Sequence, residues 1–263
     1  ARGSTSSGNC CRKRRAGTLK RPSFAELFSP ELARTTIVTT LIFAASYGIA
    51  FGAIQQLPQI IGAQALNTPA ERGHKELIAT AKAAVGKAVA DAKAEGRELT
   101  PLEKRQAGAN ANDEAVAKVS SAQEMGGLVG RVLFAVLAAY FVSRRNLFRV
   151  FQIPALLFVP FFFWWVGSNL QSDSLTMIKV GIFFAGLCTV AQFSFWGNYI
   201  PLVFPLHLRG TGESFAANIG GRVLGTAAAW ITLTLSAAKP PSPTKIAMMA
   251  ALMGGGDGLI GAV

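Results

Sequence analysis

The chain has 263 residues, of which 51% are hydrophobic and only 15% charged, whereas an ordinary soluble domain carries roughly a quarter charged residues. The shortfall is concentrated in long apolar segments, which excludes a conventional water-soluble fold and predicts an all-α polytopic membrane protein. A net charge of +12 would suit nucleic acid, but eight basic residues crowd into the first 34 positions, so the expected partner is the lipid bilayer and its anionic headgroups, with no nucleic acid.

The other chemical classes are thinly supplied. Cys10 and Cys11 are adjacent and Cys188 sits in an apolar run, which suits no disulfide framework. His74 and His207 stand apart from each other and from the cysteines, so no metal site and no cofactor is expected. No nucleophile, base and orienting group converge, and an enzyme is not expected.

In chain order, residues 1–23 are rich in Ser, Gly, Lys and Arg and read as a disordered basic cytoplasmic linker. The segment from Ser23 reads as a short interfacial helix, with Phe24, Leu27 and Phe28 on one face and Pro30 marking a break. A first span covers about Thr36 to Ile61, with Gln55 and Gln56 late in it and Pro58 kinking or ending it.

Residues 62–124 change to Ala, Lys and Glu, with nine basic and nine acidic side chains and no aromatics. They read as a soluble helical insertion on the outer face, with two Ala-rich helices at about 70–95 and 101–123. Thr100, Pro101 and Glu103 match a capping box with proline at the first helical position. No apolar stripe worth burying is apparent in this insertion, so its charges read first as a solvated face.

Five further spans follow in 125–263. The second runs from Gly126 to about Val142 with Arg131 inside it, and the SRRNLFR turn follows. The third, about 150–167, carries Pro154, Pro160 and an aromatic cluster, Phe161 to Trp165, expected at the far interface. The fourth covers about 176–204. A short basic turn then leads to the fifth, 214–237, where Gly212, Ala216 and Gly220, and then Gly221 and Gly225, repeat at four-residue spacing and invite close backbone approach. The sixth starts near Ile246 and is still apolar at Val263, so it reads as truncated. The excess of basic residues in the N-terminal segment and in the turns after the second and fourth spans predicts that these are cytoplasmic.

Taken together, FPLHLRGTGESFAANIGGRVLG, SRRNLFR and GAIQQLPQI resemble the C-terminal six-helix half of a major facilitator superfamily transporter, of the metabolite:proton symporter and sugar-porter-like kind. The first stretch is similar to that family's F-P-x-x-x-R-G-x-G turn, with Phe204, Pro205, Arg209, Gly210 and Gly212 on the motif. The resemblance covers about residues 24–63 and 125–263. It implies secondary transport of a small solute, an organic anion, sugar or other metabolite, by alternating access with protons as the coupling ion. It also implies a second partner, the N-terminal six-helix half of the same transporter, so that this chain is a fragment, and residence in the plasma membrane. Many relatives carry an acid two positions before the Phe-Pro, where this chain has Leu202; Glu213 could substitute.

The residues support specific roles. An ionisable group within a span costs about 2.5–3.5 kcal/mol on the lenient insertion scale and tends to face a cavity or partner. Arg131 and Arg222 are candidates to bind a carboxylate or phosphate, with Gln55, Gln56 and Asn218 as further substrate-binding residues and Asn198 a weaker lining candidate. Asp257 and Glu213 are candidates for proton coupling, although an arginine paired with Asp257 would only neutralise it. Arg209, Gly210 and Gly212, with Arg144 and Arg145, are candidates for a cytoplasmic gate, in which the glycines free the turn and Arg209 bonds helix-end carbonyls. Two other readings stay open: a self-contained six-span channel or half-size transporter that dimerises, and a membrane scaffold whose outer insertion binds a partner.

Overall fold

The computed structural model describes residues 23–64, 66, 71–141, 143–171, 174–236 and 242–262, with side chains described for all of these except 144, 145, 195, 198 and 257–262. The basic linker therefore lies almost entirely outside the described residues. Every regular element among them is helical: α1 Ala33–Gly52, α2 Leu57–Ile61, α3 Lys75–Ala94, α4 Pro101–Tyr140, α5 Arg144–Asn169, α6 Leu175–Tyr199, α7 Arg209–Phe215, a π-helical segment Ala216–Gly225, α8 Thr226–Leu235 and α9 Pro243–Ala262. An isolated antiparallel bridge joins Gln64 to Arg72.

Among the described residues four helices are long and apolar enough to cross a membrane: Ala33–Ile61, Pro101–Tyr140, Asn146–Asn169 and Leu175–Ser194. Their outward faces are apolar; Leu128, Val132 and Val136 of α4 are all more than half exposed, which water would penalise and lipid accepts. Four of the six expected spans meet this test. The region expected as the fifth is helical from Arg209 to Leu235, but it is divided into three segments, none of which reaches 18 residues. The region expected as the sixth is the 20-residue α9, which begins at Pro243 and interrupts its apolar sequence with Gly254, Gly255, Gly256 and Asp257.

The helices are arranged as a bundle in which α4 packs along α6, α6 on α5, α5 on α9, α9 on α1, and α1 on the π segment and α8. Glycine sets the closest of these contacts. A Cβ at Gly126 or Gly130 would run into the backbone of Phe183 or Leu187 on α6, and one at Gly186 into the backbone of Gln123 on α4. The pairs 126/183 and 130/187 advance together, so α4 and α6 run parallel. Along α1 the same device recurs: Gly220 lies against the Thr40 carbonyl and Gly225 against Tyr47. Without a hydrophobic drive between helices in lipid, such close approach and the dispersion it permits are what hold a bundle together.

Three expectations about local structure are revised. The break in the first span falls before Pro58, at a 3₁₀ turn Ile54–Gln56 between α1 and α2, because Pro58 lacks an N–H and its ring demands room one turn upstream. Of the expected interfacial face, only Leu27 is buried, while Phe24 and Phe28 are 66% and 52% exposed at the 3₁₀ turn Ala25–Phe28. The cluster expected as an interfacial belt splits: Phe162 and Phe163 are buried in the core while Phe161 and Trp164 face outward.

The Ala-rich insertion is seated on the bundle. His74 caps α3, its Nδ1 accepting from the Glu76 backbone N–H at 3.2 Å, and its own backbone N–H donates to the Ile61 carbonyl at 2.8 Å. Gln171 donates to the Gly73 carbonyl at 2.7 Å, the Leu175 N–H to Glu76 at 3.0 Å, and the Ala63 N–H to Asn112 at 2.6 Å. Contrary to the expectation of no buried stripe, Leu77, Ala81 and Val119 are buried between α3, α4 and the ends of the spans. Small alanines hide such a stripe in the sequence because they contribute little apolar signal yet let helices approach. The expected division near residue 124 is not a break in the chain's path, because α4 continues from the insertion through the second span as one 40-residue helix.

Candidate functional site

The break between α1 and α2 is the first element of the site. Interrupting a helix frees carbonyls that must find donors, and the structure accounts for them. The Phe51 carbonyl accepts from Gln56 Nε2 at 2.7 Å, the Gly52 carbonyl from Thr232 Oγ1 of α8 at 2.8 Å, and the Ala53 carbonyl from the Gln56 N–H at 3.0 Å. Gln56 is thus a buried strut, 4% exposed, whose Oε1 has no hydrogen-bond partner. Gln55, one residue earlier, is exposed.

Beside this break lies a groove of about 450 Å³ built by four parts of the bundle. Phe43, Tyr47, Ala50 and Phe51 of α1 with Gln55 form one wall, Phe193, Trp196 and Gly197 of α6 another, and Arg131 of α4 with Glu213 and Ala217 of the fifth helical region close it. Three polar residues singled out from the sequence, Gln55, Arg131 and Glu213, therefore line the same groove. Among the described residues none of Arg131, Glu213 and Arg222 makes an ion pair. Arg131 lies nine residues before the end of α4, about 14 Å by helical rise, near the middle of a hydrocarbon layer about 30 Å thick.

The wall facing these groups is aromatic. Tyr47 meets Phe193 edge to face at 5.1 Å and Phe51 at 5.6 Å, and Phe43 bridges Tyr47 and Trp196 at 6.3 and 6.0 Å. These spacings lie in the range where ring quadrupoles attract. Sequence reading missed this wall: Phe43, Tyr47 and Phe51 repeat every four residues along α1, and only the tertiary fold shows which stripe of an all-apolar helix faces a groove.

The other candidates are placed elsewhere. Arg222 is exposed, on the π segment but not on the groove. Asn218 is also exposed and turns its amide back on its own helix, Nδ2 donating to the Ser214 carbonyl at 2.7 Å. The side chains of Asp257, Asn198, Arg144 and Arg145 lie outside the described residues; the backbone places Arg144 and Arg145 in the first turn of α5 rather than in a free turn.

The gate candidates are revised in geometry. Gly210 and Gly212 are helical, in α7, and among the described residues the glycines with positive φ are Gly73 and Gly96. Gly212 is required for space, since a Cβ there would press on the Phe204 ring at 2.7 Å, whereas Gly210 faces nothing within 4 Å. Arg209 Nε donates to the Phe204 carbonyl at 3.4 Å, so the carbonyl it reaches belongs to its own turn. That turn and α7 are tied to the segment before α1 by His207 and Glu26 at 3.2 Å and by Phe28 on Phe215 at 5.4 Å; Thr36 Oγ1 donates to the Leu27 carbonyl at 2.8 Å and joins that segment to α1.

Among the described residues no three His, Cys, Asp or Glu side chains converge as metal ligands would. No family model, curated protein or solved structure matches this chain. The functional reading therefore rests on the groove itself.

Proposed function

We propose that the chain is part of a secondary transporter that moves a small solute across a membrane by alternating access, and that the groove beside the α1–α2 break is its solute site. The observation that carries this reading is the convergence of Gln55, Arg131 and Glu213, from three separate helical regions, on one groove next to an interrupted helix. Interrupted helices whose freed backbone is satisfied by side chains are a recurrent way of building such sites. Arg131 would bind an anionic group, and Glu213, in the second turn of α7, would carry the coupled proton. The bundle would be the C-terminal half of a major-facilitator-like transporter in the plasma membrane, its N-terminal segment cytoplasmic, working against an N-terminal six-helix half.

The test is uptake by the complete polypeptide in proteoliposomes, screened across organic anions and sugars. Arg131→Ala should lower uptake by a factor of at least ten, consistent with loss of a charge-assisted bond, while Arg222→Ala, outside the groove, should lower it far less. Glu213→Gln should leave downhill exchange but remove the response to an imposed pH gradient. Uptake indifferent to both Arg131 and Glu213 would overturn the assignment of the site.

A further inference from the structure

The groove's lining assigns a solute class. We infer that its ligand is a carboxylate borne on an aromatic ring. This inference rests on the transport reading above for the groove's purpose, but on different observations for its chemistry. Five of the eleven lining residues are aromatic: Phe43, Tyr47, Phe51, Phe193 and Trp196. Four of the contacts among them are close enough to make one continuous ring-lined wall.

Register places the polar groups relative to that wall. Because Gly130 of α4 lies against Leu187 of α6 and Gly127 against Val190, and the two helices run parallel, Arg131 is level with about residue 191. Phe193 and Trp196 lie about two and five residues further on, about 3 and 7.5 Å along the axis. Gln55 follows the far end of α1, whereas Glu213 is in the second turn of α7, near the chain's start as the Phe28–Phe215 contact shows. The groove therefore has an exposed cationic and amide-bearing part at Arg131 and Gln55, rings along its length and a carboxylate toward its other end.

A carboxylate meets its best partner in a guanidinium, which offers two parallel N–H donors, and among the described residues Arg131 makes no ion pair. A ring attached to that carboxylate extends onto the wall, where it gains offset or edge-to-face contact with Tyr47, Phe193 and Trp196. A sugar would need several convergent hydroxyl partners, which this wall does not supply. An aliphatic carboxylate would satisfy Arg131 and leave the rings without a π partner.

Three probes separate these contributions: benzoate, cyclohexanecarboxylate, which keeps charge and size but has no π face, and benzamide, which keeps the ring without the charge. Calorimetric titration of the complete polypeptide in lipid nanodiscs should show benzoate binding at least tenfold more tightly than either analogue. Arg131→Gln should cost benzoate at least tenfold and leave benzamide unchanged, with Arg131→Lys intermediate. Phe193→Leu should narrow the preference for benzoate over cyclohexanecarboxylate; folding of each variant is checked by size-exclusion profile and melting. Equal affinity for benzoate and cyclohexanecarboxylate, absence of benzoate binding, or insensitivity to Arg131→Gln would overturn the inference. Failure of the transport reading looks different: benzoate would bind as described while no solute crosses proteoliposomes. Uptake of aliphatic anions dependent on Arg131, without preference for a ring, would uphold transport and refute the aromatic class.

Discussion

At the start of α4, Thr100 Oγ1 accepts from the Glu103 N–H at 3.3 Å, and Glu103 accepts from the Thr100 N–H at 2.8 Å and from Arg97 at 2.7 Å. These bonds, the backbone one first, lower the Glu103 pKa from its ordinary 4.5 to about 2. A carboxylate lowered in the folded state contributes stability that is present above its unfolded value and lost as pH falls through the folded one. Seating of the insertion should therefore weaken between about pH 4.5 and pH 2, read by amide exchange across α3 and the first turns of α4. Glu103→Gln should flatten that dependence relative to wild type, with Glu114, also lowered by its bond to Lys118, leaving a residual slope in both. Thr100→Ala should cost about 1 kcal/mol at neutral pH. This cap was legible because its bonds are local and its residues stand at a fixed spacing. The Gly96 stop was equally local: at φ 71 it lets the Arg97 N–H reach the Ala92 carbonyl at 2.9 Å, the pattern of a Schellman cap. The burial of His74 was not legible, because it depends on Ile61, thirteen residues away in sequence and on another helix.

The π segment shows what an element owes to its neighbours. Its buried residues, Ala216, Gly220, Gly221 and Gly225, fall at intervals of four and five, which keep one face against α1 when bonding runs i→i+5 instead of i→i+4. The four-residue rows seen in the sequence predict that these glycines pack closely, as they do, but an α-helix would serve such rows as well. What selects the wider turn is contact with Thr40, Phe43 and Tyr47 of α1, since widening aligns more of the small residues with that partner. Gly220→Val would place methyl groups against the Thr40 carbonyl and should destabilise by about 1–3 kcal/mol. Gly210→Ala, facing nothing within 4 Å, should change stability by less than about 1 kcal/mol, on the favourable side. Thermal unfolding in detergent, followed by helical circular dichroism, separates the two; equal effects would mean that α1 and the π segment are not in contact.

For the whole molecule, α4 sets the scale. Forty residues make a rod about 60 Å long, twice the hydrocarbon thickness, so one half lies beyond the bilayer with α3 beside it while the other carries Arg131 to the groove. Single cysteines placed in a background lacking the native ones should react with a membrane-impermeant maleimide at Lys104, Ala111 and Lys118, and not at Leu128, Val132 or Val136. Ready labelling of the second set would place that half of α4 in water. Membrane character, helical class, the charged insertion and its capping box were determined by the sequence by itself, because length, hydropathy and neighbouring side chains act through local physics. So was the short list from which Gln55, Arg131 and Glu213 came, since a charge or amide amid apolar residues is conspicuous wherever it points. Only the tertiary structure decided that these three share a groove while Arg222 and Asn218 face away, that the rings of Phe43, Tyr47, Phe193 and Trp196 line it, and that Thr232 completes the α1–α2 break. On helices apolar all round no periodicity distinguishes one face from another, and only contact with neighbouring helices assigns each face its place.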